Sequence, residues 1–255
     1  MDTVARRAKV SVAPTRLPRH LTGFVGREGD LRALRTLLRT SRLVTLTGTG
    51  GAGKSRLAAE VARDAGDAWP DGIWWVELAA ETDVGGAVVA TLELPGRGSP
   101  LQVAGSWLAA RKALLILDNC EHLITECAEF SQALLERSPH VTVLATSREP
   151  LGVPGEVRWP VSPLAETDAQ TLFEARARLV EPAFKLAAQN RDSVAAICAR
   201  LDRLPLAIEM AAARLEVMSE SELLANLSDR FRWLGAAART APGRAGAGAV
   251  NPHSR

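Results

Sequence analysis

Gly48-Thr49-Gly50-Gly51-Ala52-Gly53-Lys54-Ser55 fits the pattern G-x-x-x-x-G-K-[ST], and no other stretch of the 255-residue chain limits its fold as tightly. It follows the apolar run Leu43-Val44-Thr45-Leu46 and leads into the helix-forming stretch Leu57-Ala58-Ala59-Glu60-Val61. A strand, a glycine-rich turn and a helix in that order make a phosphate cradle. The glycines let the backbone turn tightly enough to aim successive N–H groups at one anion, and the helix presents its positive dipole end to the same point. Gly48 to Gly53 are therefore expected to wrap the phosphates of ATP or ADP, Lys54 to reach the outer phosphates and Ser55 to ligate Mg²⁺. Arg56 extends the contacting run into the helix. A ligand-free glycine turn is the alternative, and both flanks weigh against it.

Length and charge limit what surrounds this motif. At 255 residues the chain accommodates an α/β domain and a smaller attached unit. It contains no run of about 18 apolar residues that would span a membrane. Pro14 and Arg16 interrupt the apolar stretch near the N-terminus before a signal-peptide core can form. The net charge is +2, but the first and last twenty residues together carry +7, which leaves the remainder at −5. An acidic core is a poor polyanion surface, so direct nucleic-acid binding by this chain is not expected. Cys120, Cys127 and Cys198 are odd in number and lack C-x-x-C spacing, which suits reduced thiols in a cytoplasmic protein. Cys120 and His122 beside Cys127 raise a zinc reading, against which stand the unusual spacing and the want of a fourth ligand.

Four further strand candidates follow the P-loop strand: 73–78, 113–118, 141–146 and 156–161. Helical patterns at 29–40, 54–65, 101–111 and 124–138 alternate with most of them, so a parallel sheet covered on both faces is expected. Beyond Pro163 the pattern is helical alone, at 165–180, 191–201, 206–217 and 219–234. The expected organisation is a flexible basic leader over 1–20, a P-loop α/β sandwich over 21–163, a helical unit over 164–235 and a disordered tail over 236–255.

Leu114-Leu115-Ile116-Leu117-Asp118 has the Walker B form, which puts a carboxylate at the carboxyl end of a strand, where the ligand crevice of an open sheet lies. Asp118 is expected to hold Mg²⁺. Asn119 follows where many hydrolytic relatives carry a second acid, and an amide accepts no proton, so turnover should be slow unless another base intervenes. Glu121 is the nearest candidate. The strand at 141–146 runs into Thr146-Ser147-Arg148, and Arg148 would sense the γ-phosphate if that strand lies between the P-loop and Walker B strands. A surface arginine paired with Glu149 is the alternative.

Phe24-Val25-Gly26-Arg27-Glu28, the P-loop, Leu114 to His122, Thr146-Ser147-Arg148 and Leu204-Pro205-Leu206-Ala207 stand in the order found in STAND-type signalling ATPases of the NB-ARC class. The chain resembles the ATPase core of bacterial LuxR- and SARP-like regulators over about residues 18–234. The resemblance implies that Val25 and Arg27 line an adenine pocket, that Pro205 closes over the nucleotide from a helical lid, and that the sheet order is 5-1-4-3-2. It implies a slow ATP/ADP switch, with a protein partner or self-association through the lid. Relatives of this class continue into a winged helix whose histidine contacts the β-phosphate. Here the sequence past Leu234 becomes Gly- and Pro-rich, and His253 lies in that tail, which points to a truncated product or a fragment. A metabolic ATPase or kinase is the other reading; it lacks an evident acceptor site and base.

Overall fold

The computed structural model describes residues 15–95 and 98–227. Most of the expected leader, the tail with His253, and the 228–234 end of the last predicted helix lie outside the described residues. In chain order the elements are β1 (Thr15–Arg16), α1 (Glu28–Thr40), β2 (Leu43–Thr47), α2 (Lys54–Asp64), β3 (Ile73–Glu77), α3 (Val84–Thr91), α4 (Pro100–Leu108), β4 (Leu114–Asp118), α5 (Ile124–Arg137), β5 (Thr142–Ser147) and β6 (Val157–Pro160). Then come α6 (Glu166–Val180), α7 (Ala188–Arg200), α8 (Pro205–Ala212) and the helical residues 220–227.

All strand pairs are parallel, in the order β1-β3-β4-β5-β2-β6. Counted from the P-loop strand β2, the last five strands read 5-1-4-3-2, and the chain is an α/β P-loop sandwich. Strands β4 and β5 are buried at every residue, because both faces are covered and a run such as Leu114-Leu115-Ile116-Leu117 has no solvent side. Their side chains alternate between two cores. Leu115, Leu117 and Val143 pack with α3, α4 and α5 through Val88, Leu108 and Leu134. Leu114, Ile116 and Leu144 pack with α1 and α2 through Leu34, Leu38, Leu57 and Val61. Strand β6, at the edge, alternates half-buried and exposed residues.

Two elements add to the sequence expectation. Thr15–Arg16, within the expected leader, pairs with Ile73–Trp74 as an edge strand. Helix α3 has the sequence Val-Gly-Gly-Ala-Val-Val-Ala-Thr, whose glycines and β-branched residues favour helix poorly. Tertiary contacts hold it: the Glu126 carboxylate accepts the Val84 N–H at 2.6 Å, and a Cβ at Gly85 would stand 2.8 Å from Pro100 Cβ, so α3 and α4 meet almost backbone to backbone.

Beyond the sheet, a third apolar cluster gathers Phe173 of α6, Ile197 of α7 and Ile208 of α8. Pro205 begins α8 in its first turn, where a missing N–H costs nothing. The helix expected over 206–217 changes to a 3₁₀ turn at Ala213–Glu216. Val25 packs against this helical cluster, and Leu204 against the sheet core, so the two parts share side chains.

Candidate functional site

The carboxyl ends of β2, β4 and β5 converge, with β5 between the other two, and so gather the P-loop, Asp118 and Thr146-Ser147-Arg148 at one end of the sheet. The turn from β2 into α2 requires its glycines. Gly48, Gly51 and Gly53 have φ of 152°, 78° and 89°, and a Cβ at Gly48 would lie 2.9 Å from the Val161 carbonyl oxygen. Gly53 caps α2, which then starts at Lys54 with its first N–H groups free of intrahelical partners.

Lys54 is 8 % exposed, and its ammonium donates to the Gly48 and Thr49 carbonyls at 2.9 and 3.1 Å. Burial lowers its pKa; the Glu121 carboxylate opposes that most strongly, Arg148 reinforces it, and Asp118 acts more weakly than Glu121. Asp118 is buried, which raises its pKa, while hydrogen bonds from the Thr146 and Ser55 hydroxyls pull it down. Thr146 donates to Asp118 Oδ1 at 2.5 Å and accepts the Asn119 N–H at 2.9 Å. One hydroxyl thus fixes the Asp118 carboxylate and the turn after it. Asn119 has φ 68°, a left-handed conformation that asparagine tolerates better than most residues, which accounts for an amide at this place.

Arg148 is exposed over 68 % of its side chain and pairs with Glu121, not Glu149, with Nε 3.3 Å from Oε1. A Cβ at Gly50 would be 3.7 Å from Arg148 Nη2, so the arginine reaches the P-loop. Arg27 acts on the other side of the loop. Its guanidinium is almost fully buried and donates to the Ala52 and Ser162 carbonyls at 2.8 and 2.7 Å, with Asp30 at 3.6 Å. Its role in the fold is to clamp the P-loop to the segment after β6. Arg56 is engaged with the Thr22 carbonyl and hydroxyl.

The helical part closes over this end of the sheet. The Leu206 N–H donates to the Gly51 carbonyl at 3.3 Å, and a Cβ at Gly53 would stand 3.6 Å from Pro205 Cγ. Between them a cavity of about 250 Å³ is lined by Val25, Arg27, Ser55, Arg56, Pro205 and Leu206, with Arg176 and Glu209 contributing charge. Arg176 donates to Glu209 at 2.9 Å and to the Gly23 carbonyl at 3.1 Å. Sequence reasoning did not single out Arg176, Glu209 or Thr22. The available signal was a charged side chain on an otherwise apolar helix face, which does not say what the charge meets.

No protein-family model matches the chain. Among solved structures it resembles a Walker-type ATPase of Pyrococcus abyssi, with TM-score 0.58, 13 % identity, and coverage of 85 % of this chain and 75 % of that one. It also resembles a Signal Transduction ATPase with Numerous Domains carrying a tetratricopeptide-repeat sensor, from Pyrococcus horikoshii, with TM-score 0.56, 18 % identity, and coverage of 84 % and 33 %. The fold is that of a P-loop ATPase. In sequence it is 44 % identical to an uncharacterized Mycobacterium tuberculosis protein over 88 % of this chain and 58 % of that protein. It is equally identical, over 82 % of this chain and 24 % of the relative, to a Mycobacterium tuberculosis protein named a candidate HTH-type transcriptional regulator. The chain thus spans little over half the length of the first relative and a quarter of the second.

The donors of this P-loop ATPase fold that could take a metal are the Ser55 hydroxyl and the Asp118 carboxylate, close enough that the hydroxyl lowers the carboxyl pKa. Both are hard oxygen ligands, which fits Mg²⁺. For the zinc reading, among the described residues no group of three His, Cys, Asp or Glu side chains gathers, and Cys120 and Cys127 are buried free thiols. Among the described residues no helix is long and apolar enough to cross a membrane.

Proposed function

We propose that this chain is the nucleotide-dependent switch core of a transcriptional regulator of the STAND, NB-ARC-like kind, binding ATP or ADP with Mg²⁺ and hydrolysing ATP slowly. The observation that carries this reading is the direct contact of α8 with the P-loop. Pro205 and Leu206 lie on Gly51 and Gly53, so a nucleotide held by the loop would also touch the helical unit, and a change in its phosphates would be felt there. The relation to longer regulators supports an output located elsewhere in such proteins.

In this reading Gly48 to Ser55 wrap the phosphates, and the Lys54 ammonium exchanges the Gly48 and Thr49 carbonyls for phosphate oxygens. Ser55 and Asp118 hold Mg²⁺, which when bound neutralises charge on the phosphates. Arg148, whose Nη2 reaches Gly50 while its Nε holds Glu121, reads the third phosphate. Val25 and the apolar side of α8 receive the base, with Arg27 fixing that wall to the loop. The exposed Met210 and Val217 supply apolar surface for a protein partner or a second copy.

Nucleotide released from the purified protein by denaturation and identified by chromatography tests the reading, together with titration by a fluorescent ADP. Bound ADP is expected. Lys54→Ala removes the one side-chain cation of the loop, and hydrogen bonds to charged groups are worth about 1.5–3 kcal/mol, so affinity should fall by roughly ten- to a hundredfold or more. Unchanged affinity in Lys54→Ala would overturn the site.

A further inference from the structure

Glu121 stands in the 3₁₀ turn Cys120–His122, immediately after the left-handed Asn119 that ends the Walker B strand. Three observations on this carboxylate belong together. Its Oε1 is held by Arg148 Nε at 3.3 Å, and Arg148 itself reaches Gly50. Its Oε2 is buried and has no hydrogen-bond partner. Among the charged neighbours of the Lys54 ammonium it acts more strongly than Asp118 does.

A buried carboxylate oxygen without a donor bears an uncompensated desolvation penalty, and such an orphan in a native structure calls for an explanation, a catalytic role among them. Asp118 is already committed to Thr146, and Asn119 has only an amide. Glu121 is thus oriented by a cation on one oxygen and free on the other, and its charge is felt by Lys54, the lysine expected to reach the outer phosphates.

We propose that Glu121 is the general base for ATP hydrolysis, taking over the proton-accepting role that an acid at position 119 would otherwise fill. The proposal rests on the reading of the site as an ATPase. In the step, a water hydrogen-bonded to Glu121 Oε2 attacks the γ-phosphorus. Its proton passes to the carboxylate, the new P–O bond forms, and the bond from the γ-phosphorus to the β–γ bridging oxygen breaks with its electron pair leaving on ADP. The proton then returns from Glu121 to the phosphate released. Arg148 keeps Oε1 occupied, so that Oε2 is the oxygen presented to the water.

The test uses the full chain, with ATP and Mg²⁺ in single turnover, and fluorescent ADP to read binding separately. Glu121→Gln keeps size and polarity but accepts no proton, and it should slow the chemical step by about a hundredfold or more while ADP affinity stays within a factor of about three. Glu121→Ala with added sodium formate supplies a carboxylate that is not tethered to the chain. A merely structural role for Glu121 would not respond to formate, whereas a base role predicts a rate that rises with formate concentration. If Glu121→Gln hydrolyses at the wild-type rate, or formate gives no rescue of a Glu121→Ala protein that still binds ADP, the assignment is wrong while the nucleotide site stands. Wild-type protein that binds ATP and does not hydrolyse it also overturns the base. Wild-type protein that binds no nucleotide overturns the ATPase reading itself, and the base with it.

Discussion

Asp118 is a side chain whose burial works against the fold. Burial raises its pKa, so the charged form is disfavoured in the folded protein relative to the unfolded chain. The sign for stability follows. A carboxyl whose folded pKa lies above its unfolded value destabilises the protein at pH values above both, and the penalty vanishes at pH values below both. Asp118→Asn should therefore raise the melting temperature at neutral pH, by roughly 2–4 °C for each kcal/mol relieved, and the gain should shrink on acidification through the carboxylate range. Thr146 can still serve an amide oxygen at this position. Thermal denaturation of the two proteins at neutral and acid pH measures it, with Mg²⁺-dependent ATP binding followed in parallel and expected to be lost. A lower melting temperature for Asp118→Asn at neutral pH would show that Thr146 and Ser55 more than compensate the burial.

At the scale of elements, the contact between α8 and the P-loop confines Gly51 from outside the turn. Its φ of 78° disfavours any side chain, and a Cβ there would stand 3.1 Å from Leu206 Cβ. Gly51→Ala should cost about 1–2 kcal/mol for the left-handed backbone alone and push α8 from the loop. Gly50→Ala is the control: its φ is not in the positive range, and its nearest neighbour is the end of the flexible Arg148 at 3.7 Å. Denaturant unfolding should show a clear loss for the first variant and little for the second; equal losses would mean that Leu206 does not confine the loop. Most elements involved were legible in the sequence. The apolar runs of β2, β4 and β5 have no other explanation than burial on both faces, and the glycines of the loop announce their own backbone conformation. The strand order was not legible from periodicity and came through resemblance. Helix α3 was illegible because Glu126 and Pro100, far along the chain, hold what Gly85 and Gly86 would undo. In the site, the P-loop and Asp118 stand out as patterns, whereas the partner of Arg148 does not. Sequence proximity favours Glu149, but the turn at Asn119 brings Glu121 to it instead.

The molecule as a whole is two apolar cores on either face of one sheet and a third in the helices, joined across a cavity by few polar contacts. Arg27 ties the P-loop to the segment entering the helical part, the Leu206 N–H donates to the Gly51 carbonyl at 3.3 Å, and Arg176 bridges the two parts. Of these Arg176 is the most exacting, because one guanidinium on α6 meets Glu209 on α8 and the Gly23 carbonyl on the sheet side at the same time. Its planar fork fits two acceptors at once, which an ammonium does less well. Replacing it by methionine preserves the bulk of the stem and removes both hydrogen bonds. Fully buried ion pairs lose about 3–5 kcal/mol when one partner is deleted, and here the loss should be smaller because Glu209 keeps 35 % of its side chain exposed to water. The three cores are untouched, so Arg176→Met should lower the global melting temperature only modestly. The junction should respond more. Amide hydrogen exchange is expected to speed up at residues 23–27 and 206–209 while the amides of β4 and β5 keep their protection, since local opening and global unfolding draw on different contacts. Arg176→Lys should fall between the two, retaining the charge near Glu209 without reaching Gly23. Exchange at 23–27 that matches wild type in both variants would show that Arg27 and the Leu206–Gly51 bond suffice to hold the helical unit on the sheet.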